Sequence, residues 1–581
     1  TNSKKVQDAR KFILTMIFSE RNHFCPFCQV SGGDCELQNA AYAEDMTHWP
    51  LQPNWQSYEV DASHPYIIID HNRCILCRRC VRACGELVGN FTLGFEERGA
   101  KSLLVADLGV PLGESSCISC GMCAQVCPTG AIIDRESAYK GKETQVESHK
   151  SICIGCSVGC GIDVLTRDNR VVRIEGDWES PVNNGVICKV GRYEPMYEKR
   201  ERLYTPLLKQ DGKQKATTWG DAVTTITNTI KPLHGKGEEK IAAIASTRLS
   251  SEALFTFKQI FADYFGSAKV SSTEEGHPTA GSMLLAKEMG KSFEGKINDL
   301  DQADCFVILG SDLINNHEVL GFMVKRAVAT GKKLLVVDSE DNPIFLFADK
   351  YLLVKPGSEK QVITAIGDMV VTGKTSTEAA EKFGVSPEDM AEFVKILSES
   401  KNAVFVYGKD LTKDYSTEAV KALVDTAEKF GSVAGKEYHL LGTKGKANSL
   451  TASLLNLDNP VELNGNEVVV VALGDDEISQ KQIQKLSKAA YLVVLASYKS
   501  QLTAMADVVL PVATWAEQSG HYINLEGRLQ EMVQAVTPAD DVLSNVDALK
   551  TIADHLGVKV DTKNWQKNLA PYSSAELLIN A

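Results

Sequence analysis

The cysteines constrain this chain more than anything else in it. There are sixteen, and all but Cys305 fall at or before Cys188. They come in groups with short, fixed spacings. A disulfide framework fits poorly, because disulfide-dense domains are short secreted modules and this chain has 581 residues. Gaps of two and three residues between cysteines are metal-ligand spacings. The cysteine-rich part is expected to fold around inorganic centres in a reducing compartment.

The clearest pair of groups is Cys74-x2-Cys77-x2-Cys80-x3-Cys84 and Cys117-x2-Cys120-x2-Cys123-x3-Cys127-Pro128. This is the spacing of two-cluster ferredoxins, in which the fourth cysteine of each run serves the other cluster. Three cysteines on a loop that wraps a cube each reach one iron. The expected ligand sets are Cys74, Cys77, Cys80 with Cys127, and Cys117, Cys120, Cys123 with Cys84. Structural zinc, the competing reading, favours pair-plus-pair spacing, which these runs do not show.

A third group is Cys153-x2-Cys156-x3-Cys160, with Cys188 twenty-eight residues later. Ile162–Leu165 and Val171–Ile174 between them read as short strands. Three clustered ligands and one distant ligand suit a cubane beneath a small sheet, with zinc again the alternative. A fourth group is His23-x-Cys25-x2-Cys28-x6-Cys35, followed by Glu36-Leu37-Gln38. Three cysteines leave one iron of a cubane open. His23 abuts them and is the candidate to complete the set, a neutral imidazole in place of a charged thiolate. Asp34 and an external ligand are its competitors. Cys305, in Ala303-Asp304-Cys305-Phe306-Val307, reads as a core thiol in a buried strand with no cluster role.

Beyond about residue 204 the texture changes. Ile241–Ala245, Cys305–Leu309, Leu334–Val337, Ala403–Tyr407, Val468–Ala472 and Tyr491–Ala496 are strand candidates. Lys325–Thr330, Ser416–Phe430 and Ile478–Lys488 read as helices between them. Strands alternating with helices predict doubly wound α/β sheets, which take ligands outside the carboxyl ends of their strands. Gly310-Ser311-Asp312 and Asp338 stand at such ends, where ordinary loop chemistry also places residues like these. No G-x-G-x-x-G or Walker pattern is present.

The formal net charge of −13 leaves no excess of Lys and Arg for a nucleic-acid partner. No apolar run approaches the ~20 residues of a membrane helix. Val6, Ile13, Leu14, Ile17 and Phe18 predict a helix in the first twenty residues. The chain starts at Thr1 without a leader, which suggests an upstream domain in this chain or a partner.

The four cysteine groups in this order, ahead of an α/β half, resemble the large iron–sulfur subunit of respiratory complex I, the NADH–quinone oxidoreductase. They also resemble its relatives in NAD-linked hydrogenases and formate dehydrogenases, within the molybdopterin oxidoreductase superfamily. Asn22 to Gln38 looks like the family's His/Cys cluster segment, with a His-x-Cys spacing nearer that of NAD-reducing hydrogenases. Leu203-Tyr204-Thr205-Pro206-Leu207, Thr218-Trp219-Gly220-Asp221-Ala222, Ala506 to Pro511, and Glu517 to Gln530 resemble superfamily signatures. The resemblance implies four [4Fe–4S] clusters. It implies a His/Cys3 segment over 1–65, a two-cluster ferredoxin domain over 66–145, a molybdopterin-oxidoreductase-type [4Fe–4S] domain over 146–203 and α/β domains over 204–581.

The departures from the family carry the functional expectation. Catalytic formate dehydrogenases place a Cys or selenocysteine on the metal beside a His. The matching stretch is Glu275-Gly276-His277-Pro278-Thr279, so Gly276 stands where the ligand would be. Those enzymes carry a Lys two residues past the last cluster cysteine; here that position is Val190, with Lys189 one place early. Their C-terminal pterin-binding barrel has no counterpart after Gln530-Glu531-Met532, nor has the upstream [2Fe–2S] domain before the first helix. The expectation is a cytoplasmic electron-transfer subunit with no active site of its own and no molybdopterin. It would reach the inner face of the membrane only through partners. It would relay electrons between a flavin subunit carrying FMN or FAD and oxidising NAD(P)H, and a further iron–sulfur or catalytic redox subunit. Quinone, ferredoxin, a hydrogenase, formate and an acyl-CoA reductase are all compatible acceptors. The alternative is a catalytic molybdo- or tungstopterin subunit of a formate dehydrogenase-like enzyme.

Overall fold

Uninterrupted runs of Val and Ile belong to strands buried on both faces of a parallel sheet, and two such sheets organise the larger part of the chain. The computed structural model describes residues 3–53, 55–236, 240–289, 295–373, 382–415, 417–465, 467–569 and 578–579. The chain divides into two compact units. The first is Thr1–Lys150, Gly161–Glu198 and Lys325–Thr330; the second is Ser151–Cys160, Lys199–Val324 and Gly331–Ala581.

In the second unit, a seven-stranded sheet has the order Lys213–Ala216, Leu207–Gln210, Val508–Pro511, Tyr491–Ala496, Val468–Gly474, Ile241–Ala245, Lys269–Ser272. Its last five strands are parallel, with Ala243 opposite Val470 in the central pair. The chain order across those five is 2-1-3-4-5 counted from the edge, so the order reverses between Ile241–Ala245 and Val468–Gly474. Alternate residues face opposite sides. Ala243, Val470 and Val493 pack under the helices Trp219–Ile230 and Asn545–Leu556, and Ala242, Val469, Val471 and Val494 pack on the other face. A second sheet is wholly parallel, in the order Lys350–Leu353, Lys333–Asp338, Cys305–Leu309, Asn402–Tyr407, Glu437–Gly442. Cys305 is buried in its apolar core, and burial pushes its thiol up to about 12.

Serine and threonine start the helices of this unit. Thr218, Ser386 and Ser544 each accept a hydrogen bond from the backbone N–H three residues on, at 3.0–3.1 Å. The expected helices are present with shifted ends. Glu418–Gly431 replaces Ser416–Phe430, Ser416 lying outside the described residues, and Gln480–Leu486 replaces Ile478–Lys488. The helix expected at Lys325 begins at Glu318. Gly321, within that earlier start, is a close-approach glycine: a Cβ on it would come within 2.5 Å of the Leu313 carbonyl oxygen.

The first unit is built from short pieces. After the helix Lys4–Glu20 come a three-stranded sheet (Val60–Asp61, Ile67–Asp70, Ile132–Asp134), the hairpin Leu93–Glu96 with Leu103–Ala106, and the hairpin Gly161–Arg167 with Arg170–Gly176. Its cores include cysteines as members. One is Ile67, Ile69, Leu93, Leu104, Ile132 and Tyr193 around Cys80 and Cys123; the other is Leu14, Phe18, Leu37 and Ala41 around Cys35. No described helix is long and apolar enough to cross a membrane.

Candidate metal centres

None of the sixteen cysteines is in a disulfide. In the first unit twelve potential ligands are gathered around three cavities of similar size. Cys74, Cys77, Cys80 and Cys127 line one of about 330 Å³. His23, Cys25, Cys28 and Cys35 line one of about 290 Å³. Cys84, Cys117, Cys120 and Cys123 line one of about 360 Å³. Among the described residues no group of three or more His, Cys, Asp and Glu side chains converges tightly enough for one metal ion. The sulfurs surround voids instead, which suits a polynuclear cluster.

The two ferredoxin-type loops achieve this with the same backbone device. Leu76 and Arg78 in the first, and Ser119 and Gly121 in the second, have φ of 55°, 66°, 61° and 72°. Three of these four residues carry a Cβ, so each loop holds local strain at matched positions. The turn aims backbone N–H groups inward. Leu76 N donates to Cys74 Sγ and Ser119 N to Cys117 Sγ, both at 3.4 Å. The short helices Arg79–Arg82 and Met122–Gln125 follow, carrying Cys80 and Cys123. Cys84 and Cys127 lie just beyond those helices, and each lines the cavity of the other loop.

Burial pushes Cys120 up to about 12 and raises Cys80 and Cys123 further, while Cys74, Cys117 and Cys127 are also raised. Thiols this buried become thiolates only beside strong positive charge, which iron supplies. The all-sulfur donor sets and the void between them fit [4Fe–4S] clusters.

His23 fits the same logic. Burial, with Arg21 and Arg73 nearby, lowers its pKa to about 4, so its imidazole is neutral. Its Nε2 is buried without a hydrogen-bond partner, an acceptor awaiting a ligand. The competitor Asp34 does not line this cavity; both its carboxylate oxygens accept from Glu143 N, at 3.0 and 3.2 Å. Gly130 is indispensable here, since a Cβ on it would lie 2.5 Å from Cys28 Sγ. Thr129 lines both this cavity and that of Cys74. Its bridging position, missed in the sequence, carries no signal beyond the turn Pro128-Thr129-Gly130.

Cys153, Cys156 and Cys160 lie in the second unit and Cys188 in the first. Gly155 N donates to Cys153 Sγ at 3.4 Å, the same contact as in the ferredoxin loops. The loop is held from inside its own unit. Leu525 N donates to Ser157 O at 2.8 Å, and Gln530 Nε2 donates to Gly159 O at 2.7 Å. Burial pushes Cys156 up to about 12. Cys188 caps the short helix Lys189–Arg192.

The parallel sheets offer ligand crevices where their strand order reverses. Outside Ile241–Ala245 and Val468–Gly474, the protein's own groups are in place. Arg248 grips Asp475 through two hydrogen bonds of 3.0 and 3.1 Å, and Lys446 reaches Asp476 at 2.6 Å. In the other sheet Gly310 and Gly408 meet; a Cβ on Gly408 would lie 2.6 Å from Gly310 O. Asp312 folds back on its own turn, accepting from Ile314 N at 2.9 Å, and Asp338 accepts from Asn342 Nδ2 at 3.0 Å. Gly276 has φ of 74°, and a Cβ there would meet Asp458 O at 2.5 Å. This loop leaves no room for a side chain at that position.

The comparisons with known proteins agree with this architecture. Residues 202–555 match the molybdopterin oxidoreductase family, and 146–197 its Fe4S4 domain. Residues 10–49 match the NADH-ubiquinone oxidoreductase-G iron-sulfur binding region, and 73–131 the 4Fe-4S dicluster domain. The chain therefore belongs to the molybdopterin oxidoreductase family, with an iron–sulfur region of the NADH-ubiquinone oxidoreductase-G kind and a 4Fe-4S dicluster domain ahead of it. Among its relatives, NADPH-Fe(3+) oxidoreductase subunit alpha of Geobacter sulfurreducens is 26% identical, over 96% of this chain and 73% of that one. A putative formate dehydrogenase of Staphylococcus aureus is 23% identical, over 96% and 68%. Acetylene hydratase from Pelobacter acetylenicus shares the fold, with a TM-score of 0.56 at 14% identity over 72% of this chain and 70% of that one.

Proposed function

We propose that this chain is the iron–sulfur electron-transfer subunit of a multisubunit NAD(P)H-linked oxidoreductase. It relays single electrons between a flavin-bearing subunit and another redox subunit. The observation that carries the reading is the set of three cavities of the first unit, each lined by four ligands and two of them sharing Thr129. In this reading His23, Cys25, Cys28 and Cys35 hold one cluster; Cys74, Cys77, Cys80 and Cys127 hold a second; Cys84, Cys117, Cys120 and Cys123 hold a third. The fourth set, Cys153, Cys156, Cys160 and Cys188, rests on its sequence spacing. The NADPH-linked name of the Geobacter relative supports the flavin-subunit partner.

When bound, [4Fe–4S] clusters supply one-electron redox chemistry. The chain's own residues do the rest. Thiolates anchor the irons, the N–H groups of Leu76 and Ser119 stabilise sulfur charge, and the apolar shell of Ile67, Leu93, Leu104 and Ile132 excludes water. No residue serves as acid, base or nucleophile.

The second reading, a catalytic molybdo- or tungstopterin subunit, is favoured by the family and by the formate dehydrogenase-like relatives. Gly276 and Val190 with Lys189 speak against it. Metal analysis of anaerobically purified protein separates the two. About sixteen irons per chain, from four cubanes, without molybdenum or tungsten, is the expected result. Stoichiometric molybdenum or tungsten overturns it.

A further inference from the structure

Half-buried arginines in both units each hold a carboxylate: Arg202, Arg248 and Arg528 hold Glu517 at 2.6 Å, Asp475 at 3.0 Å and Glu526 at 2.8 Å, and in the first unit Arg73 holds Asp70 at 3.1 Å and Arg173 holds Glu175 at 2.8 Å. The two most buried arginines of the first unit hold none. Arg21 is 1% exposed and Arg192 4%. Arg21 donates to His71 O at 2.7 Å and Ser102 O at 2.6 Å and lies over the Tyr58 ring at 4.4 Å, while its Nε has no hydrogen-bond partner. Arg192 donates to Cys120 O at 2.9 Å, Ile174 O at 3.2 Å, Met122 Sδ at 3.5 Å and Gln125 Oε1. Every one of these partners is neutral.

A desolvated guanidinium without a counter-charge is expensive and is rarely kept. Neither arginine lines a cavity, but each is hydrogen-bonded to backbone beside one, Arg192 at Cys120 and Arg21 at His71. Arg192 touches the Cys120 carbonyl, and a Cβ on the adjacent Gly121 would fall 2.4 Å from Arg192 Cδ, so the loop is glycine-fitted around this side chain. Arg21 stands two residues before His23, and through the His71 carbonyl it is anchored three residues before Cys74. Neither has a carboxylate within hydrogen-bonding reach, and Asp134 acts on Arg192 only through space; a four-thiolate iron–sulfur cluster carries the negative charge that such a contact would supply.

We propose that Arg21 and Arg192 are built-in counter-charges of the clusters: Arg21 for the His23 and Cys74 sites, Arg192 for the Cys117 site, each raising the reduction potential beside it. This rests on the electron-relay reading and adds two tuning residues to it. Reduction adds a negative charge to a cluster, and a fixed positive charge in a poorly screened interior favours the reduced form. Both are positioning residues; neither is an iron ligand.

The test is an EPR-monitored redox titration of the full chain, purified anaerobically, with iron and sulfide determined first. In R192Q the Cys117-site cluster loses about tenfold in its reduced-to-oxidised ratio at fixed potential, equivalent to about 59 mV for one electron. R21Q does the same at the Cys74 or His23 site. R192K retains the charge and gives back more than half of the shift. Q125E keeps the arginine but neutralises it, and shifts the same cluster in the same direction; it also covers the case in which R192Q fails to assemble. Control R167Q, at an exposed arginine, shifts nothing. Iron-replete variants with unmoved midpoints, or R192K and R192Q shifted alike, overturn this inference and leave the relay standing. Wild-type chain that binds no iron takes both down.

Discussion

At the centre of the second unit, Phe405 packs between Phe430 and the aliphatic side chains of a parallel sheet, almost without exposure. In the first unit the core includes Cys80 and Cys123, which are less deeply buried and line cavities of about 330 and 360 Å³. The second unit closes its interior with hydrocarbon between parallel sheets and capped helices. The first sets its cysteines around cavities that suit an inorganic cluster. The difference teaches where stability resides. One unit follows the usual rules of area buried and cavities avoided; in the other, cluster binding is folding energy.

The sharpest way to break this comparison is to remove the iron. Chelation under reducing conditions should unfold the first unit cooperatively and leave the second intact. Hydrogen exchange should show protection lost in Ile67–Asp70 and Ile132–Asp134 and kept in Val468–Gly474. Equal loss in both would end the distinction. Next, F405A should cost about 3–5 kcal/mol by emptying a packed site, read as a lower denaturation midpoint of the second unit with unchanged iron content. A smaller effect belongs to G276A. It places a Cβ against Asp458 O at a φ of 74° and should cost about 1–3 kcal/mol, again without loss of iron.

The smallest effect is a pH dependence in the second unit. The Glu252 carboxylate beside His521 raises the imidazole's pKa, and His521 in turn holds Glu252 below its usual range. The His521 contribution is complete below its unfolded value and disappears as pH rises through the raised one. The Glu252 contribution is present above its unfolded value and disappears as pH falls through the lowered one. The pair therefore stabilises between those limits. The imidazole side chain is 42% exposed, so the gain stays under about 1 kcal/mol. Thermal melts of H521Q should lose that bell-shaped increment, and a flat difference from wild type would remove the pair from the account.

Much of this was legible in the sequence for a simple reason: inorganic ligation and period-two burial both leave regular spacings. Cys305–Leu309, Ile241–Ala245 and Tyr491–Ala496 occur as strands with the expected bounds, because an apolar run between polar ends has one way to be buried. The cysteines that line the three cavities are also ones that spacing grouped. Less legible was what depends on shape. Gly321 is a close contact that no spacing marks. Thr129 and Gly130 looked like a turn and also shape the cavity walls. Arg21 and Arg192 carried no signal at all, since a buried arginine reads like any other until its partners are known.

The exchange of Cys84 and Cys127 between the two ferredoxin-type loops has a consequence for assembly. The span from Cys74 to Cys127 encloses the span from Cys84 to Cys117, so the two closures are nested. Whichever shell forms first shortens the conformational search of the other, because the chain between their anchor points is already gathered and the entropy of closing the second loop is smaller. Filling one site should therefore favour filling the other. Oxidative loss of one cubane should loosen the other before any solvent reaches it.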